Sequence, residues 1–518
     1  MTKNQSKKPY SFERYNWKVG LVSFTDPRSE VQFVTEREEY LKNCHDELVQ
    51  KLEEQGFRVV DPQSNLQRED NLWGINNVKQ LEAISLEFFK ENISALICGC
   101  WSWTEPHLPL KMARKLDVPT CLITKNTSAW PGVTSIVSTG ASFWESSSSF
   151  FIKNHARFLL KKNAKSPQFG KLSAWLRAAC SLKQLQTGTL LFWGAGPALN
   201  MEHLDEDIPF LKRFLIGDVE TIDQFELIRT AETILSKDKQ RVIAFQKWLI
   251  ENGCRIIFDE AILTEESLAR EIALYLASKD LVNKRYQNGI KVIGASIKCQ
   301  PELSVQYGVT PCLTPSFLPY PTDHEGDKLM IPTVCEGDIK GLISSVLLHG
   351  LNPKISPLFG DVKMLEENYF VIANCGGGNA FYASNSFNPK LTLSNSFIRP
   401  QCQGETGGAF GFITPETETE VTFTRLIRID NNYFLQAGLG KIVKLDKKLE
   451  DVWGGNWPHT AVELKISKEL FIKTIGANHV SLTLGNFIKE LEYFCDLLGV
   501  PLIRLDQTKS AQSFLDSL

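Results

Sequence analysis

Near residue 355 the hydrophobic pattern of the chain changes period, so two kinds of sheet must be built from one sequence. Upstream, short apolar runs alternate with amphipathic segments. WKVGLVSF (17–24), a charged helical stretch (31–55), FRVVD (57–61), a helix (77–91), ISALICG (93–99), a helix (108–115) and VPTCLIT (118–124) follow in turn. Strands alternating with helices predict a parallel sheet covered on both faces. Helical pattern then fills 143–186. A second unit of the same kind opens at TGTLLFWGAG (187–196), with helices over 219–252 and 264–280, the strand CRIIFDEA (254–261) and the strand KVIGASIKC (291–299). Downstream, PLFGDVKM, NYFVIANCG, EVTFTRLIRID, NYFLQAGLGKIV and AVELKIS are short and alternating, separated by glycine and polar turns. That pattern predicts antiparallel sheet, closed as a barrel or stacked as a sandwich. The expected division is an arm over 1–16, an α/β domain over 17–186, a second α/β domain over 187–353 and a β-rich domain over 354–518.

Composition excludes several function classes. The 57 basic and 60 acidic residues leave a net charge of −3, which argues against nucleic-acid or anionic-membrane partners. No apolar run reaches the ~18 residues of a membrane span. The first 16 residues are polar and basic, without the apolar centre of a signal peptide. The 12 cysteines are scattered and form no C-x-x-C pair, which fits buried thiols in a reducing cytoplasm. H-E-x-x-H, the P-loop and G-x-S-x-G are absent. Gly194-Ala-Gly196 resembles the start of a dinucleotide loop, but the third glycine is missing and Pro197 follows. His324, in a proline-rich loop, reads as exposed.

The stretch over 331–379 holds two carboxylates in poorly solvated settings. Glu336 closes the apolar run PTVCE, and Asp361 lies inside an expected β-hairpin, with an amphipathic helix over 338–350 between them. Buried carboxylates are costly unless paired or metal-bound, although Glu336 or Asp338 also suits a helix cap. His479, in Ala-Asn-His-Val, has no local explanation. Two carboxylates and an imidazole, with positions left open, suit Mn²⁺, Mg²⁺ or Co²⁺. At the carboxyl ends of the first strands, Asp26-Pro27-Arg28, the loop from Cys100 to Glu105 with Trp101, and the loop from Asn126 to Gly132 form a polar-ligand surface or a packing interface.

Cys335-Glu336-Gly337-Asp338, Phe359-Gly360-Asp361-Val362, Asn374-Cys375-Gly376, Asn478-His479 and Gly485-Asn486 resemble the L-fucose isomerase family, related more distantly to the L-arabinose isomerases. Fainter echoes lie in Cys100-Trp101-Ser102-Trp103 and in 126–132. The resemblance implies an α/β protein with two Rossmann-like parallel-sheet domains, followed by a β-rich, barrel-like C-terminal domain. It implies that Glu336, Asp361 and His479 hold a divalent metal, Mn²⁺ first among candidates, with the two carboxylates also serving as acid and base. Asn478 would touch substrate, as would Trp101. Trp453 or Trp457 would match an active-site tryptophan. Arg28 would match an arginine lent to a neighbouring subunit. The implied activity is aldose–ketose isomerisation of an open-chain sugar through an enediol, in a cytoplasmic trimer or hexamer. Cys375 stands where a small hydroxyl is expected, which leaves the sugar open among a deoxyhexose, a pentose and a modified sugar. A sugar-binding relative without turnover, or an epimerase or lyase using the same site, is the alternative.

Overall fold

The structure is a computed structural model and describes residues 17–68, 70–146, 148–161, 167–445 and 452–518. The expected arm over 1–16 lies outside them. Among the described residues the chain forms two compact units, 17–183 with 489–499 and 184–488 with 500–518.

The N-terminal unit carries strands β1 (Lys18–Ser23), β2 (Arg58–Val60), β3 (Ala95–Gly99), β4 (Thr120–Lys125) and β5 (Ala156–Leu160). They form an all-parallel sheet in the order β2-β1-β3-β4-β5. Val22, Leu96, Cys98 and Leu122 of the central strands pack against Leu81, Ile84, Phe88 and Met112 of the covering helices. This is the βα alternation expected from period. Strand β5 corrects the helical reading of 143–186. That stretch divides into helices Gly132–Ser146 and Phe150–Lys153, then β5, then helix Pro167–Thr187. The open edge of β4 offers hydrogen-bond partners that local helix propensity cannot match.

The C-terminal unit continues with β6 (Thr189–Trp193), β7 (Asp218–Ile222), β8 (Arg255–Ile256), β9 (Val292–Ile297), β10 (Thr322–Asp323), β11 (Gly326–Asp327) and β12 (Thr333–Cys335). After these come β13 (Leu358–Leu365), β14 (Tyr369–Ala373), β15 (Phe397–Pro400), β16 (Gly408–Gly411) and β17 (Glu420–Ile429). The last are β18 (Asn432–Lys441), β19 (His459–Glu463), β20 (His479–Leu484) and β21 (Leu502–Arg504). A second parallel sheet runs β12-β9-β6-β7. Strand β7 occupies the start of a stretch read as helix, and helices Gln224–Lys237 and Lys239–Glu251 follow it. Strand β8 is shorter than expected and leaves this sheet to pair with β15. His324, expected exposed, has a side chain only 7 % exposed. It sits at the β10–β11 turn, edge-on to Phe245 at 5.5 Å.

The third sheet runs β19-β14-β13-β20-β17-β18-β21. Its pairs are antiparallel except β18 with β21. Beyond β18 the chain bridges back from Ile442 to Val462 on β19, so six of the strands close into a ring. Phe370 stacks at 4.9 Å on Phe471 and meets Phe423 edge-on at 5.1 Å. This is the barrel-like, β-rich part expected from alternation.

Helix Ile339–Leu351 joins the parallel sheet to the ring. Every one of its residues is buried, against the amphipathic expectation. It packs on β9 from one side and on β17 and β20 from the other, so it has no solvent face. Its polar groups are satisfied inside. Ser345 Oγ meets Ser481 Oγ at 2.7 Å, Ser344 Oγ accepts the Leu426 N–H at 2.8 Å, and Lys340 donates to the Asp205 carbonyl at 2.5 Å.

Candidate active site

Glu336 leaves the carboxyl end of β12, where ligands of parallel sheets bind. Its φ is +64° and that of Gly337 is +71°. A left-handed glutamate is a strained conformation, a feature that concentrates at functional sites. Glycine is required next, because a Cβ on Gly337 would lie 2.3 Å from the Gly196 carbonyl oxygen. The Gly194–Gly196 loop therefore serves close backbone packing beside Glu336, and Ala198 N donates to the Glu336 carbonyl at 2.8 Å.

Asp361 and His479 are brought together by register. They face each other across the antiparallel pair β13–β20, an arrangement that puts both side chains on one face. His479 Nε2 lies 3.1 Å from Glu336 Oε2 and 3.4 Å from Asp361 Oδ1. Three side chains separated by up to 143 positions thus converge. Asn478 donates to Asp361 Oδ1 at 2.7 Å, and His203 Nε2 meets Asn478 Oδ1 at 2.8 Å. The Phe359 ring lies 4.7 Å from the His479 ring.

Behind His479 is a residue that sequence reading left as a helix cap. Asp338 does cap helix Ile339–Leu351, accepting the Gly341 N–H at 2.8 Å. It also faces His479 Nδ1 at 2.9 Å and pairs with Arg425. Burial alone would raise the Asp338 carboxyl, but Arg425 and His479 hold it below the usual carboxylate range. Burial would lower the His479 imidazole, yet Asp361, Asp338 and Glu336 push it well above its ordinary value. The Asp361 carboxyl rises by burial, with His479 opposing and Glu336 adding to the rise. Arg425 had no readable signal, since one arginine in the alternating run TFTRLIR points inward as readily as outward.

The remaining expected site residues divide. Trp457 is buried and Trp453 is 65 % exposed, with ring centroids 4.7 Å apart. Lys363 Nζ lies 4.8 Å from the Trp457 ring and 2.9 Å from His459 Nε2. His459, Ala373 and Asp361 lie opposite one another in one cross-strand row, which puts His459 about 10 Å from Asp361 across two strand spacings. Arg28 and Trp101 belong to the N-terminal unit. Arg28 is largely exposed and pairs with Asp26 at 2.5 Å. Trp101 is 0 % exposed and its indole N–H donates to Ser23 Oγ at 2.8 Å. Trp101, expected to touch substrate, thus lies fully enclosed in its unit.

The donor chemistry fits a hard divalent cation. Among the described residues Nε2 of His479 is buried and lacks a well-aligned hydrogen bond, although carboxylate oxygens of Glu336 and Asp361 lie 3.1 Å and 3.4 Å away. Asp338 is enclosed, Glu336 nearly so and Asp361 partly exposed, and these three carboxylates share one guanidinium and one imidazole among the described residues. Among the described residues, no three His, Cys, Asp or Glu side chains stand as a ready-made metal cage.

Residues 372–506 match the family described as L-fucose isomerase, C-terminal domain, which bears out the resemblance carried by Asn478-His479. That match includes His479 and stops short of Glu336 and Asp361, whose place at the site rests on geometry. No curated protein matches the chain.

Proposed function

From the premise that residues 372–506 are the C-terminal domain of a sugar-isomerase family, we propose that this protein is a metal-dependent aldose–ketose isomerase. Its substrate is an open-chain sugar of the L-fucose or pentose type. The observation that carries the proposal is the convergence of Glu336 and Asp361 on the buried Nε2 of His479. These three residues would hold the ion, Mn²⁺ first, then Mg²⁺ or Co²⁺. When bound, the metal supplies Lewis-acid polarisation of the sugar carbonyl, which acidifies the neighbouring C–H.

The protein's own groups do the rest. Of the two carboxylates, one takes the proton from the carbon beside the carbonyl. The other moves a proton between the two oxygens of the resulting enediol, and return of a proton to the adjacent carbon gives the ketose. Positioned proton transfer of this kind is worth about 10²–10⁴-fold. Asn478 holds Asp361 through one amide hydrogen and keeps the other for a sugar hydroxyl. Trp457, just before β19, and Lys363, two residues beyond Asp361 on β13, supply an apolar face and a cation. Arg28, exposed on the N-terminal unit, is assigned to a neighbouring subunit's site in a homo-oligomer.

The test is incubation with a panel of 6-deoxyhexoses and pentoses in the presence of Mn²⁺. Ketose should form from at least one sugar and cease on chelation. A metal-bound protein that gives no ketose from any of them overturns the assignment.

A further inference from the structure

We propose that Asp338 and Arg425 are positioning residues that hold the His479 ring with its proton on Nδ1, leaving Nε2 free for a divalent cation. The inference rests on the metal-dependent reading above and adds two residues to it.

Asp338 is fully enclosed and uses both oxygens. Oδ1 accepts the Gly341 N–H at 2.8 Å, while Oδ2 faces His479 Nδ1 at 2.9 Å and Arg425 Nη1. An ionised carboxylate only accepts, so the Nδ1 it bonds must carry a proton. With Nδ1 committed to Asp338, Nε2 is the nitrogen that gives up its proton when a cation binds. Nε2 is the nitrogen that faces Glu336 and Asp361. A carboxylate behind a ligating histidine is the recurrent way to orient the ring and raise its basicity.

Arg425 explains how such a carboxylate persists in the core. It stands in the middle of β17 with a side chain 1 % exposed. Its Nε and Nη2 find no hydrogen-bond partner among the described residues, and its one ion pair is with Asp338. A buried guanidinium with unpartnered nitrogens is costly. The ion pair offsets that cost and supplies the counter-charge that Asp338 lacks. The pocket is shaped for this contact, because a Cβ on Gly341 would lie 2.5 Å from Asp338 Oδ2 and 2.6 Å from the Phe359 ring.

Asp338→Asn tests the idea cleanly. The remaining oxygen can still cap the helix, whereas the amide presents N–H to Nδ1 and drives the ring proton to Nε2. Mn²⁺ binding to the chelator-stripped full chain, followed by electron paramagnetic resonance of the free ion, should weaken by about 10- to 100-fold, with circular dichroism unchanged. Arg425→Met should weaken binding in the same direction and Arg425→Lys should restore most of it, a rescue that a purely structural role does not predict. These two variants carry the test if Asp338→Asn fails to fold. Wild-type protein that binds no Mn²⁺ overturns the functional reading itself. Wild type that binds Mn²⁺, with Asp338→Asn or Arg425→Met binding equally well, overturns only the positioning role.

Discussion

Two clusters of buried charge in the C-terminal unit follow different rules. Around Asp323, each carboxylate has a cation. Lys279 lies 2.5 Å from Asp323 and 2.6 Å from Glu325, while Arg241 lies 2.6 Å from Glu325 and 2.7 Å from Asp280. The Tyr275 hydroxyl adds a hydrogen bond to Asp323 at 2.5 Å. Around His479, Glu336 and Asp361 share a single imidazole and only Asp338 has a guanidinium. The first cluster is balanced by its own side chains, and the second, on the metal-dependent reading proposed above, would be balanced by a cation. Burial of charge alone therefore says little about function, whereas a charge imbalance held in place by strain and register does.

The largest expected effect comes from the unbalanced cluster. Glu336→Gln and Asp361→Asn should each lower kcat by at least the 10²–10⁴-fold typical of positioned proton transfer, with the fold retained by circular dichroism. Near-wild-type turnover in either would remove that residue from the chemistry. In the balanced cluster, Lys279→Met leaves Asp323 buried without its cation and should cost about 3–5 kcal/mol of stability. Thermal melting reads this loss, and it should be the same with and without Mn²⁺. A loss that Mn²⁺ reverses would mean that the clusters are not distinct.

Mn²⁺ itself should raise Tm through the His479 cluster alone. At about 100 times Kd the stabilisation is roughly 2.7 kcal/mol. Glu336→Gln should abolish this rise and Lys279→Met should keep it. An equal rise in Glu336→Gln would place the ion elsewhere.

The smallest effect concerns a buried carboxylate outside both clusters, held by backbone N–H groups. Glu271 accepts backbone N–H groups from Gly408 at 2.7 Å and Leu313 at 3.2 Å. Burial nevertheless lifts its carboxyl to about 8. The folded state then keeps a proton that the unfolded chain releases near the ordinary glutamate value of about 4.3. This contribution is fully present in acid, declines above that value and is gone once the pH has risen through about 8. Glu271→Gln should flatten the fall of Tm with pH across that window, and parallel curves for the two proteins would refute the assignment.

Much of this was legible in sequence. Glu336 and Asp361 stood out because a carboxylate beside apolar strand residues needs a partner, and His479 because nothing local explained it. Asp338 was visible only as a cap, since its second oxygen acts on residues far along the chain. Arg425 carried no signal, because the side that an arginine takes in a strand depends on register. Trp101 could be read as a ligand-facing or a packing residue, and its ring lies enclosed, as aromatic rings in strand-end loops bury readily. Strands β5 and β7 were hidden in stretches read as helix because edge pairing decided them.

Period by itself determined the alternation of strand and helix up to residue 355 and the β-rich remainder, since apolar spacing dictates which faces must leave water. Only the tertiary structure decided that a buried helix would lie between two sheets, and that Asp361 and His479 would face each other across β13 and β20. It also decided that Asp338 would cap the helix and hold the histidine with the same side chain. Those outcomes depend on strand register and on contacts more than 80 residues apart, which local spacing does not encode.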